Sequence, residues 1–112
     1  MSEQPPQRRR FRRRTVRVLV EYLSDAGLCR ETATTLGAGG LFIESEQPLP
    51  KGTALKLSFA LPGSDVRHFL EGTVAWAHMP SDPESGSPGM GIAFDDRGAT
   101  KELARELQRL DD

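Results

Sequence analysis

Residues 8–22 read RRRFRRRTVRVLVEY, a block of cations that runs without a break into a β-strand pattern. Val16, Val18, Val20 and Tyr22 fall on one face of that strand, and Thr15, Arg17, Leu19 and Glu21 on the other, as a period of two requires. The same period returns downstream. In Thr53–Leu61, Leu55, Leu57, Phe59 and Leu61 alternate with Lys56, Ser58 and Ala60, and in Gly89–Phe94 the inward residues are Met90, Ile92 and Phe94. Ser24-Asp25-Ala26-Gly27 and Pro62-Gly63-Ser64-Asp65 are turn signals. They delimit a second strand expected around Leu28–Ala33 and a longer one over Val66–Ala77. A short buried strand, Leu41-Phe42-Ile43, is closed by Pro48, Pro50, Lys51 and Gly52. Thr34–Gly40 (TTLGAGG) reads as a small-residue loop, and Pro80–Pro88 as an exposed one.

Within Val66–Ala77 the alternation places Leu70, Val74 and Trp76 together on the core face. Gly72 shares that face, where a missing side chain suits a bulge or a barrel bend. Beyond Phe94 the period changes, because Ala99, Leu103, Leu107 and Leu110 recur at helical spacing on an otherwise charged segment. The expected fold is all-β: a small antiparallel barrel of six or seven strands with one C-terminal amphipathic α-helix. Residues 1–7 form a disordered tail in this reading, residues 8–14 an arginine-rich ligand-binding arm, and residues 15–110 the barrel with its helix.

A chain of 112 residues has room for one core, and its apolar and charged fractions of 37% and 28% suit a globular protein. The net charge of −1 hides a polarity. Residues 1–17 hold seven arginines against Glu3, a balance of +6, which leaves −7 for the rest. That split points to a localised anion site. No apolar run approaches the roughly 20 residues that span a bilayer. The opening MSEQPPQRRRFRRR lacks the apolar stretch of a secretory signal, so the expected location is cytoplasmic.

Little in the sequence supports catalysis or metal binding. Cys29 is the single cysteine and reads as a small core residue. His68 and His78 flank one strand, about 30 Å apart on strand geometry, and read as surface residues at its two ends. No metalloprotease, hydrolase or P-loop signature is present. Asp95-Asp96 reads as a charge pair at the helix N-terminus. No enzyme, catalytic residue, metal site or cofactor is therefore expected.

The arginine run carries the chemistry. Guanidinium groups are planar and permanently charged; they bind phosphate or a guanine edge through paired hydrogen bonds and stack on bases. A run of this kind also suits a solvated tail that meets any polyanion. The glycine-rich segment before Leu41 favours a defined anion site, since backbone amides there can approach a phosphate without obstruction. Phe11, inside the run, can stack on a base or pin the arm to the barrel.

Four segments, in order, resemble the PilZ domain, the bacterial receptor module for cyclic di-GMP. The family opens with R-x-x-x-R leading into its first strand. Arg9 and Arg13 supply that spacing, with Val20 and Tyr22 at the right phase; Arg8/Arg12 and Arg10/Arg14 are the other registers. The second family motif, (D/N)-x-S-x-x-G before an apolar strand, corresponds to Thr35-Leu36-Gly37-Ala38-Gly39-Gly40 before Leu41-Phe42-Ile43. Leu70–Ala77 (LEGTVAWA) and Pro88–Phe94 (PGMGIAF) resemble the family's G-x-V-x-W and G-x-G-I-x-F strands.

The resemblance implies that the two arginines hold guanine and phosphate groups and that Thr35, Gly37 and Gly40 complete the site. Arg8, Arg10, Arg12 and Arg14 are additional candidate contacts. It also implies a single-domain adaptor that reads cyclic di-GMP and passes the signal to an unidentified protein partner, in motility or surface machinery, rather than to nucleic acid. Trp76 matches a family core tryptophan. Two positions depart from the pattern. Thr35 stands for an acid or amide and Gly37 for a serine. Losing two or three polar contacts at roughly 1 kcal/mol each, more where charge-assisted, corresponds to about one to three orders of magnitude in affinity. The alternatives are a degenerate PilZ domain that acts through protein contacts alone, and a nonspecific polyanion binder.

Overall fold

In a computed structural model, residues 14–79, 88–95 and 97–111 are described. They form β1 (Arg14–Ser24), β2 (Gly27–Gly37), β3 (Gly40–Glu44), β4 (Ala54–Ala60), β5 (Arg67–His78), β6 (Gly89–Phe94) and α1 (Arg97–Asp111). The strands close into an antiparallel barrel in the order β1-β2-β3-β6-β5-β4.

The alternation seen in the sequence explains the closure. Val18, Val20 and Tyr22 of β1 point inward, as do Leu55, Leu57 and Phe59 of β4 and Met90 and Ile92 of β6. Each fully buried side chain of this size contributes about 1.5–3 kcal/mol through removal from water. The helix completes the core from outside. Leu103 is wholly buried, Leu107 nearly so, and Ala99 packs beside them, which is the stripe read from their spacing.

Several expectations fail for identifiable physical reasons. Thr34–Gly37 is strand, not loop. β2 continues through them, with Thr35 and Leu36 paired to β1 on one side and β3 on the other, so only Ala38-Gly39 remains as the connection to β3. Gly72 lies in regular pairing, opposite Leu55 and Phe94. It is a glycine because a Cβ there would stand 2.7 Å from Ile92 Cγ2 and 2.8 Å from the Ala93 carbonyl oxygen. The bulge falls further on, between Val74 and Trp76.

Cys29 is exposed, although it pairs with the buried Tyr22. Pairing of β2 with β3 begins only at Ala33, so nothing from that strand covers the first half of β2. His68 is buried, not superficial. It faces Phe59 across the β4–β5 ladder, and its Nε2 meets Glu106 Oε1 of α1 at 2.5 Å. Glu106 also accepts a hydrogen bond from the Ser64 hydroxyl. A buried polar ring needs such a partner, and here the pair fastens the helix to the barrel.

Candidate functional site

Three β-bulges lie side by side at one level of the barrel: in β1 between Thr15 and Val18, in β2 between Ala33 and Thr35, and in β5 between Val74 and Trp76. A bulge adds a residue and re-aims those that follow. Strict alternation would turn Thr35 inward behind Ala33, and Trp76 inward behind Val74. The bulges bring both to the outside, so Ala77 rather than Trp76 packs on the core.

The register then joins Thr15 to Thr35, Thr35 to Phe42, Phe42 to Gly91, and Gly91 to Trp76. This is one continuous row across five strands on the outer face. Thr15 is exposed, Thr35 and Phe42 are half-buried, and Trp76 is 37% exposed. Phe42 and Trp76 stack with ring centroids 5.3 Å apart and planes 18° from parallel, and His78 tilts against Trp76 at 4.8 Å.

The slab needs a floor without side chains, and two glycines of β6 supply it. A Cβ at Gly91 would lie 2.3 Å from Trp76 Cε2, and one at Gly89 2.5 Å from Phe42 Cζ. Gly40 answers a different demand, because its Cβ would meet the Ile92 carbonyl oxygen at 2.2 Å. Its missing side chain lets β3 close against β6.

The expected ligand residues fall as follows. Arg8, Arg9, Arg10, Arg12 and Arg13 lie outside the described residues, as does Phe11. Arg14 opens β1 with its backbone opposite Leu36, so the arginine run enters the barrel beside Thr35. Gly37 pairs with Gly40 across the two-residue connection. The structure thus brings the end of the arginine run and the second motif to the same place. It adds Phe42 and Trp76, which the sequence reading placed inside, and His78, which it placed at the surface without a role. The signal for them was the pair Gly89 and Gly91, alternating with inward Met90 and Ile92: two bare positions on the outer face of a strand call for something large lying over them.

Two polar clusters elsewhere are saturated. The Tyr22 hydroxyl donates to Glu31 Oε1 at 2.5 Å, and the Ser45 hydroxyl donates to Oε2 at 3.0 Å. Burial, reinforced by the Glu31 carboxylate, pushes the Tyr22 hydroxyl far above its ordinary range and keeps it neutral. At Glu106, the hydrogen bond from Ser64, followed by His68, lowers the carboxyl below its usual range against the opposing effect of burial. Asp95 accepts from the Thr73 hydroxyl at 3.1 Å, while Asp96 lies outside the described residues. Among the described residues no three His, Cys, Asp or Glu side chains gather as a metal site, and no helix is long and apolar enough to cross a membrane.

The profile of the PilZ domain matches residues 7–110. The chain belongs to the PilZ domain family. That family binds cyclic di-GMP, and its members are ligand-binding adaptors rather than enzymes. A search of curated proteins finds no match.

Among solved structures, the chain resembles the Bacillus subtilis inhibitor of motility MotI/DgrA, with a TM-score of 0.74 and 22% identity over 94% of this chain and 51% of that one. It thus spans about half the length of that protein. The PilZ domain of Escherichia coli YcgR with cyclic di-GMP gives a TM-score of 0.70 and 15% identity, covering 94% of this chain and 92% of that one. The PilZ domain of CeSA from a cellulose-synthesizing bacterium gives 0.61 and 18%, covering 87% and 98%. At these identities the likeness is one of fold.

Proposed function

We propose that this PilZ domain is a cyclic di-GMP receptor that binds its ligand on the outer row Thr15–Thr35–Phe42–Gly91–Trp76 and signals to a protein partner through the changed surface. The observation that carries the reading is that row, which sets a flat aromatic surface next to the point where the arginine run enters the barrel. Arg9 and Arg13 supply the paired donors that a guanine edge and a phosphate accept. Trp76 offers a ring face to a base, an interaction worth about 1–3 kcal/mol per base. Such stacking offsets part of what Thr35 and Gly37 forgo. Ordering the arm onto the barrel is the switching step. A role in motility rests on the likeness to an inhibitor of motility.

Calorimetric titration with cyclic di-GMP tests this. Binding should be saturable, preferred over linear and mononucleotides, and lost in Arg9→Ala and Arg13→Ala. No heat at high micromolar ligand would refute it.

A second reading, a degenerate domain acting through protein contacts alone, is favoured by Thr35 and Gly37. Under that reading, Thr35→Asp with Gly37→Ser creates binding that the natural chain lacks. A response that depends steeply on salt and ignores the base would instead indicate a general polyanion binder.

A further inference from the structure

The outer face of β1, β2 and β5 carries large apolar side chains that the cyclic di-GMP reading does not use. Phe69 is 69% exposed, Leu28 63%, Leu19 59% and Leu23 47%. A cleft of about 360 Å³ runs between Leu23, Leu28 and Phe69. Contiguous exposed apolar side chains rimmed by charge mark a contact surface. The binding row shares β1, β2 and β5 with this face. Thr15, Thr35 and Trp76, however, lie on the far side of the bulges in those strands from Leu19, Leu28 and Phe69, and the rest of the row runs over β3 and β6.

We infer that this face is the contact surface for a second copy of the chain, joined face to face across a two-fold axis that runs along the row Arg30–Glu21–Ser58–Phe69. The register supplies the reason. That row crosses β2, β1, β4 and β5. Two residues to one side lie Leu28, Leu23, Lys56 and Glu71, joined in the same way. Two residues to the other side lie Thr32 opposite Leu19, and Ala60 opposite Arg67.

A two-fold axis along the central row sets each flanking row over its counterpart. Leu23 meets Leu19 of the second copy, Glu71 meets Arg67, and Phe69 meets Phe69. Apolar faces apolar at Leu23 and Phe69, and acid faces base at Glu71, while Leu28 meets Thr32 and Lys56 meets Ala60. Among the described residues Glu71 has no ion pair, with Lys56 as its cross-strand neighbour. Arg67 donates to the Ser58 hydroxyl at 2.7 Å and lies only at 3.9 Å from Glu21, and its exposed guanidinium has further donors for Glu71 of the other copy. On the axis Arg30 and Glu21 face their own kind. They already neutralise each other within one chain, at 2.9 Å, and each lies one strand from the opposite charge in the second copy. An isologous contact requires this self-complementarity.

The grid spans about 14 Å across the strands and 13 Å along them, well below the roughly 800 Å² per partner of a standard interface. The dimer is therefore weak and transient.

Sedimentation velocity from about 5 to 500 μM, without nucleotide, tests the inference. The expected result is a concentration-dependent monomer–dimer equilibrium that Phe69→Asp abolishes. Arg67→Glu should weaken it at least tenfold, and adding Glu71→Arg should restore it. Circular dichroism confirms that each variant is folded, and a calorimetric titration of the same samples reports cyclic di-GMP binding separately. A chain monomeric throughout the range would overturn the inference. So would a dimer that survives Phe69→Asp, or one that the charge exchange does not rescue, whether or not cyclic di-GMP binds. Monomeric protein whose Phe69 face is instead covered by a different protein would also refute it.

Discussion

Gly91→Ala would place a methyl carbon 2.3 Å from Cε2 and 2.6 Å from Cζ2 of Trp76, far inside van der Waals contact. Trp76 must swing away, because the methyl carbon is fixed by the β6 backbone. Its stacking on Phe42 and its contact with His78 go with it. Aromatic pairs contribute about 0.5–1.5 kcal/mol beyond their buried area, and the core beneath is untouched, so the loss of stability should be about 1 kcal/mol. Binding should suffer more. Removing a base-stacking surface worth about 1–3 kcal/mol weakens cyclic di-GMP by roughly 5- to 150-fold. Trp76 is the only tryptophan, so its fluorescence maximum and near-ultraviolet circular dichroism report the displacement without labelling. Fluorescence should shift to the red while calorimetry records the weaker binding. A variant with displaced indole emission and undiminished affinity would refute the placement of the ligand on the slab. Unchanged emission would refute the geometry of the slab itself.

Gly40→Ala should act on the fold, since its Cβ would meet a backbone oxygen of β6 at 2.2 Å that cannot step aside. A loss of about 2 kcal/mol or more in chemical denaturation is expected, of the size seen for strained backbone sites. Tyr22 is held neutral by burial and Glu31. The unfolded chain therefore loses this proton first, and stability should fall above about pH 10 by up to about 1.4 kcal/mol per pH unit; Tyr22→Phe should remove that part of the slope in urea titrations. The lowered carboxyl of Glu106 has the opposite sign: its contribution is present above the ordinary carboxylate range and is lost as pH falls through the folded value. Glu106→Gln should be less stable at neutral pH and should flatten the acid limb of the stability profile.

The barrel was legible because most of its strands obey a period of two. Val18, Val20, Tyr22, Leu55, Leu57 and Phe59 all lie where alternation puts them, and Leu103 and Leu107 where helical spacing does. What escaped was the bulges. Alternation cannot register an extra residue, so Trp76 was assigned to the core, and the glycine-rich run that follows Thr35 put that residue in a loop, whereas one inserted position in each strand turns both outward. His68 escaped for another reason. A histidine at a strand start reads as exposed, and the carboxylate that satisfies it in the interior comes from Glu106 on α1, 38 residues away. Cys29 read as core because it is a small apolar residue in an expected strand; that β3 ends short of it is a matter of topology, not of local pattern. The convergence of the arginine run with Thr35 follows from the antiparallel pairing of β1 and β2, which places Arg14 opposite Leu36.

Titration of isotopically labelled protein with cyclic di-GMP, followed by amide and indole resonances, tests the proposed site most directly. The shifts should concentrate on Thr15, Thr35, Phe42, Gly91 and the Trp76 indole, and should vanish in the Arg9→Ala, Arg13→Ala double variant. Shifts confined to the Leu23–Phe69 face, or no shifts at millimolar ligand, would contradict it.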